Sequence, residues 1–154
     1  MEVQIDFEHG REELENLPLT ELTNFVLQHE GLPANTEVSI SFVSDERMAD
    51  LNLAYRGIEG PTDVLSFECD GADDAWDEGT GAEDATFVLG DIVIAPDVAR
   101  RQTAEYRTTF EGEISLLLVH GLLHLCGYDH EEDDEAQAME QLEGEIIALW
   151  WANR

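Results

Sequence analysis

The chain has 154 residues, 43% of them hydrophobic, with 36 Asp and Glu against seven arginines and no lysine, for a formal net charge of −29. That length and apolar share fit one domain, residues 1–154, with a core of its own, and neither suggests a second. The charge argues against general attraction to DNA or another polyanion, because affinity for a phosphate backbone comes mainly from cationic contacts.

Met1 to Asp6 contains no basic stretch followed by an apolar one, and no apolar run is long enough to span a bilayer. A cytoplasmic chain that keeps off membranes is therefore expected. Val3, Ile5 and Phe7 alternate with Glu2, Gln4, Asp6 and Glu8, the period of a strand with one wet face. Thr20 then caps a helix that runs through Gln28 and stops near Gly31, and Val38, Ile40 and Phe42 alternate with Ser39 and Ser41 as a second strand. Ser44, followed by Asp45 and Glu46, starts a helix with Met48, Leu51 and Tyr55 as its apolar stripe and its end at Arg56-Gly57. Val64, Leu65 and Phe67 predict a short strand after Pro61, and Phe87 to Ala95 a mostly buried one. Between them, residues 68–86 hold eight carboxylates, three glycines and no basic residue, the composition of a mobile, solvated loop. Pro96 suits the first position of a helix through Ala104 that carries Arg100 and Arg101.

Ile114 to Leu125 is apolar on nearly all sides, so this helix is expected to run through the centre of the protein and hold its histidines rigidly. After the acidic turn at Glu131 to Asp134, a last helix puts Met139, Leu142, Ile146 and Leu149 on one face. The element order predicts an α+β fold: a small mixed β-sheet of about four strands packed with about five helices. Cys69 and Cys126 match neither a disulfide framework nor a metal knuckle and are expected to be reduced thiols, with Cys126 buried. Five of the seven arginines, Arg47, Arg56, Arg100, Arg101 and Arg107, fall between two acidic stretches and can form one local basic face. A lysine-free, acid-rich surface also suits a salty cytoplasm, where screening weakens self-repulsion.

The tightest chemical constraint is the run His120-x₃-His124-x₅-His130. Histidines four apart project from one helix face, so both imidazoles can reach one ion. Gly127 tolerates positive φ, so the helix can stop there and the chain can return His130 to the same point. Three neutral nitrogens leave one coordination position open, as in a catalytic zinc site; the plainer readings are packed, hydrogen-bonded histidines or a purely structural metal. The spacing is that of metzincin peptidases, but Gly121 stands where their catalytic Glu belongs, so ordinary zinc peptidase chemistry is not expected.

Residues 120–130, read as His-Gly-x-Leu-His-Leu-x-Gly-Tyr-Asp-His, resemble the signature of the endoribonuclease YbeY family of rRNA maturation factors. Leu51-Asn52-Leu53-Ala54-Tyr55-Arg56-Gly57, then Pro61 to Phe67, and Leu89-Gly90-Asp91-Ile92-Val93-Ile94 are similar to further blocks of that family in the same order. The resemblance implies a metal-dependent endoribonuclease that prefers single strands, matures rRNA at the 16S 3′ end and acts in ribosome quality control. It implies one zinc per chain held by His120, His124 and His130, and Arg56 facing the metal cleft, where a guanidinium can hold a scissile phosphate. Asp129, beside a ligand histidine, is expected to orient an imidazole; Asp63 and Asp91 can be structural, and the general base stays unassigned. Arg100, Arg101 and Arg107 are candidates for guiding RNA, and the small ribosomal subunit, reached through a cationic ribosomal protein, is the expected partner. Glu68 stands where many relatives have proline, and the absent lysines remove much of the expected RNA-facing charge. Two other readings stay open: a ribosome-associated assembly factor that binds without cutting, its metal fixing the last helix, and a metal-dependent hydrolase of another substrate such as a peptide.

Overall fold

Period-two alternation becomes the two leading strands, and the rest of the fold follows from how their apolar faces are covered. The computed structural model describes residues 1–69, 87–128 and 132–153. Strand β1 (Glu2–Phe7) is followed by helices α1 (Arg11–Leu14) and α2 (Leu19–His29), strand β2 (Thr36–Phe42), helix α3 (Asp45–Arg56) and strand β3 (Val64–Glu68). Strand β4 (Phe87–Ile94) and helices α4 (Pro96–Tyr106), α5 (Phe110–Leu125) and α6 (Asp133–Ala152) complete the order. This is the mixed α+β architecture expected from the sequence, with one helix more: the four-residue α1, too short to carry a periodic pattern.

The strands lie in the order β1-β2-β4-β3, the first three parallel and β3 antiparallel at the edge. Val3, Ile5 and Phe7 stand opposite Val38, Ile40 and Phe42, and Ile40 and Phe42 stand opposite Ile92 and Ile94, so one sheet face is a continuous apolar surface. Helix α5 lies across that face with α2 and α6 beside it, and its Ile114, Leu118, Val119, Leu122 and Leu123 are fully buried. Emptying such a site typically costs about 2–5 kcal/mol per leucine cut to alanine, so the helix is anchored along most of its length. The other face is polar toward β1 and apolar only where Leu65 and Val93 meet Met48 of α3.

Local chemistry sets the boundaries. Ser44 Oγ accepts the Arg47 N–H at 3.2 Å and starts α3 as expected. Helix α5 begins four residues earlier than the apolar run suggests, because Thr109 Oγ1 accepts the Gly112 N–H at 3.0 Å and caps a polar first turn. Thr20 does not cap α2, which starts at Leu19 after Pro18. Tyr55 is 67% exposed and so is no part of a buried stripe; its place on α3 is taken by buried Asn52, whose Nδ2 donates to the Gly60 carbonyl at 2.9 Å. The buried face of α6 is Met139, Glu143, Ile146 and Trp150, with Leu142 half-buried and Leu149 exposed, a shift of about one position that brings an acid inside. On α5, Leu116 alone among the described leucines is exposed. Cys69 is exposed and Cys126 half-buried, and both are free thiols. Of the acidic stretch 68–86, Glu68 ends β3, and residues 70–86 lie outside the described residues, as do Asp129 and His130. Among the described residues no helix is long and apolar enough to cross a membrane.

Candidate active site

Helix α5 carries the histidines, and its approach to the sheet fixes where they point. At Gly121 an added Cβ would come within 2.9 Å of Ile92 Cγ2, so only glycine allows the helix to sit this close to β4. Ser66 Oγ donates to the Gly121 carbonyl at 3.2 Å and ties the helix to β3 at the same level. This contact gives a packing reason for glycine at the position where a metzincin would carry glutamate.

On either side of that contact, His120 and His124 project together, their ring centroids 4.7 Å apart and their planes at 80°. His120 Nδ1–H donates to the Glu143 carboxylate across the α5–α6 interface. A carboxylate only accepts, so the proton of this bond sits on Nδ1, and Nε2 is the ring nitrogen through which a cation would be bound. Glu143 is only 7% exposed, and its place inside the apolar stripe of α6 is explained by this bond. The sequence carried a signal for it: Glu143 is four residues after Met139 and three before Ile146, an acid at helical spacing within an apolar face. Asp129, expected in the orienting role, lies outside the described residues, and for His120 that role falls to Glu143.

A cleft of about 420 Å³ opens beside these rings, lined by His120, His124, Arg56, Thr62, Asp63, Val64, Leu65, Ser66 and Glu68. Arg56 reaches it from the last turn of α3, which Gly57 terminates at φ 68°. Two of the three expected ligands and the expected arginine thus share one cleft, though they come from elements 64 residues apart (120 minus 56). Among the described residues no group of three His, Cys, Asp or Glu is placed to hold a metal; His130, the third expected ligand, lies outside them. Asp63 is committed to scaffolding: its carboxylate accepts from the Val64 N–H at 2.8 Å and from Gln102 Nε2 at 3.2 Å. Asp91 lies on the far side of the sheet, away from the histidines.

The helix stops at Gly127, as expected, while the return of His130 lies outside the described residues. Gly127 has φ 103°, its N–H bonds the His124 carbonyl at 3.0 Å, and the Tyr128 N–H bonds the Leu123 carbonyl at 3.1 Å. This pair of bonds is the Schellman ending, which turns the chain back beside the helix. The Tyr128 hydroxyl hydrogen-bonds Glu30, which raises its pKa to about 12, with burial adding to the effect. Burial, and then the same Glu30 charge, pushes the Cys126 thiol up to about 12.

The three candidate RNA-guiding arginines differ in their surroundings. Arg100 pairs with Glu13 and stacks over Phe110 at 4.4 Å, and Arg101 pairs with Asp45 at 2.9 Å, so both tie α4 to neighbouring elements. Arg107 is exposed at the end of α4 in a left-handed conformation, φ 54°.

The sequence as a whole has close relatives. A family model described as Endoribonuclease YbeY matches residues 4–150. A protein of that name from Frankia alni is 44% identical over 97% of this chain and 83% of its own length. Another from Geobacillus thermodenitrificans is 40% identical over the full length of both. A Thermotoga maritima protein solved in solution superposes with a TM-score of 0.61 at 29% identity, covering 98% of this chain and 93% of its own. With His120 and His124 on α5 and a family match over nearly its whole length, the chain belongs to the endoribonuclease YbeY family.

Proposed function

We propose that this protein is a metal-dependent endoribonuclease that prefers single-stranded RNA and acts in the cytoplasm, in maturation of the small-subunit rRNA 3′ end and in ribosome quality control. The observation that carries the reading is the shared cleft: Arg56 and the paired imidazoles of His120 and His124 line one opening, in a family named for RNA cleavage. The donor chemistry fits a zinc ion held by His120, His124 and His130, because the Glu143 bond engages Nδ1 of His120 and would make Nε2 the ligating nitrogen. Bound zinc supplies Lewis acidity toward a phosphate oxygen or a water molecule.

The chain's own residues supply the rest. The Arg56 guanidinium can donate two parallel hydrogen bonds to a phosphodiester and stabilise the charge that grows on it. Among the described residues it has no ion-pair partner. Glu143 holds the His120 ring in one orientation, and the contact between Gly121 and Ile92 holds α5 at a fixed distance from Arg56's side of the cleft. With a net charge of −29 and Arg100 and Arg101 already paired, free RNA is bound weakly, and a cationic ribosomal protein on the small subunit delivers the substrate.

The test is incubation of metal-loaded protein with end-labelled small-subunit rRNA precursor, free and within pre-ribosomal particles, beside Arg56→Ala and His124→Ala. Cleavage by the wild type and a loss of about 10²-fold or more in both variants is expected. Particles that bind the protein while the RNA stays intact in every lane would instead identify a non-cutting assembly factor.

A further inference from the structure

We propose that the cavity on the far side of β3, walled by Tyr55 and Phe67, is a nucleobase subsite for a single-stranded RNA whose phosphodiester lies at Arg56; this rests on the nuclease reading above. Tyr55 and Arg56 are consecutive at the end of α3 yet open onto different cavities. Arg56 lines the histidine cleft, whereas Tyr55 lines a second cavity of about 390 Å³ with Phe67, Leu51, Val93 and Arg47. Strand β3 is the partition: Ser66 and Glu68 line the first cavity, and Phe67 between them lines the second. Among the described residues, β3 is the edge of the sheet and the ridge that a strand of RNA leaving Arg56 would cross.

The second cavity has the chemistry of a base site. Tyr55 is 67% exposed but held against Phe67, with ring centroids 5.0 Å apart and planes at 62°. An open, braced aromatic ring next to a phosphate-binding cation is how proteins take a single strand: bases turn out and stack while the backbone stays on positive charge. Glu8 and Asp91 also line this cavity, and their charge disfavours a phosphate there. The arginines agree. Arg11, Arg100 and Arg101 are in ion pairs; of the described arginines outside those pairs, Arg47 and Arg56 each line one of the cavities, and Arg107 stands apart at the exposed end of α4. On a chain of net charge −29, unpaired cations on both sides of one edge suit an anionic ligand that passes over it.

The test uses the metal-loaded full chain and short single-stranded RNAs carrying one 2-aminopurine at positions flanking the cut bond, with Tyr55→Ala and Tyr55→Trp as variants. Tyr55 is exposed, so both variants are expected to fold, which circular dichroism checks. In one register the wild type should quench 2-aminopurine fluorescence on binding. Tyr55→Ala should lose that quenching and raise KM about tenfold with little change in kcat, and Tyr55→Trp should restore both. Quenching and KM indifferent to Tyr55→Ala would overturn the subsite, as would a Tyr55→Ala defect confined to association with ribosomal proteins. Fluorescence reads binding without cleavage, so stacking on Tyr55 with no cutting would count against the nuclease reading alone, and cutting indifferent to Tyr55 against the subsite alone. A chain that neither binds nor cuts these RNAs at concentrations that reach weak binding overturns the subsite, and the nuclease reading falls with it if the RNA within pre-ribosomal particles is also left intact.

Discussion

On one wall of the cleft, His120 and His124 stand on a helix with fully buried residues along most of its length, and a nearly buried carboxylate from α6 fixes one of the rings. On the other, Arg56 ends α3, whose described core contact is little more than Met48 and Asn52 and whose last turn is exposed. The difference separates two demands. A cation-binding pair must be held within a fraction of an ångström, which takes packing and an orienting hydrogen bond, whereas a phosphate-binding guanidinium gains from reach and adjustability. If the walls differ in this way, damage to the first should appear as lost metal or lost stability, and changes to the second as altered substrate affinity.

Glu143 is the strongest lever on the rigid wall, because it acts on the ligand without touching substrate. Glu143→Ala should weaken zinc about 10–100-fold in competition with a chromophoric chelator, and Glu143→Gln, whose amide oxygen can still accept from His120 Nδ1–H, should lose less. Unchanged zinc affinity in the alanine variant, with the fold intact by circular dichroism, would mean that the bond serves packing alone.

Gly121 tests the same wall by stability. A methyl group there meets Ile92 at 2.9 Å, and neither α5 nor the central strand β4 can retreat without opening the core. Gly121→Ala should cost about 1–3 kcal/mol in urea unfolding, more than the usual helix-propensity gain of alanine over glycine returns. A stabilised variant would show that the helix has room to shift and that the histidine wall is less fixed than its packing implies.

The same contrast explains what the sequence could reveal. Val3, Ile5 and Phe7, Val38, Ile40 and Phe42, and the apolar run of α5 each report their own environment locally, because period and hydrophobicity are set by one buried face. The His120–His124 pair was legible for the same reason, one turn being a local distance. Glu143 was missed because reading α6 for apolar residues skips the one acid inside the stripe, and its partner lies 23 residues away on another helix. Tyr55 was misplaced for a related reason: spacing put it on the face of Met48, but α3 ends there and overhangs the sheet edge, where tertiary position overrides the pattern. Arg100 and Arg101 looked available for RNA until Glu13 and Asp45, each more than 50 residues away in sequence, came beside them. Long-range pairs of charges have no period for a single sequence to display.

The adjustable wall makes the smallest prediction. Glu68 is exposed at the end of β3 and lines the cleft with Arg56, so its charge opposes an incoming phosphate while contributing no packing. Between exposed groups such repulsion is worth a few tenths of a kcal/mol to about 1 kcal/mol and is screened by salt. Glu68→Gln keeps the shape and removes the charge, so KM for single-stranded RNA should fall about two- to fourfold at low ionic strength, with kcat unchanged and the benefit fading as salt rises. A change in kcat instead would give Glu68 a part in the chemistry, as a carboxylate within reach of the reacting groups, and would move it from the adjustable wall to the reactive centre. No change in either constant at any salt concentration would mean that the substrate backbone passes on the Arg56 side without coming near the end of β3.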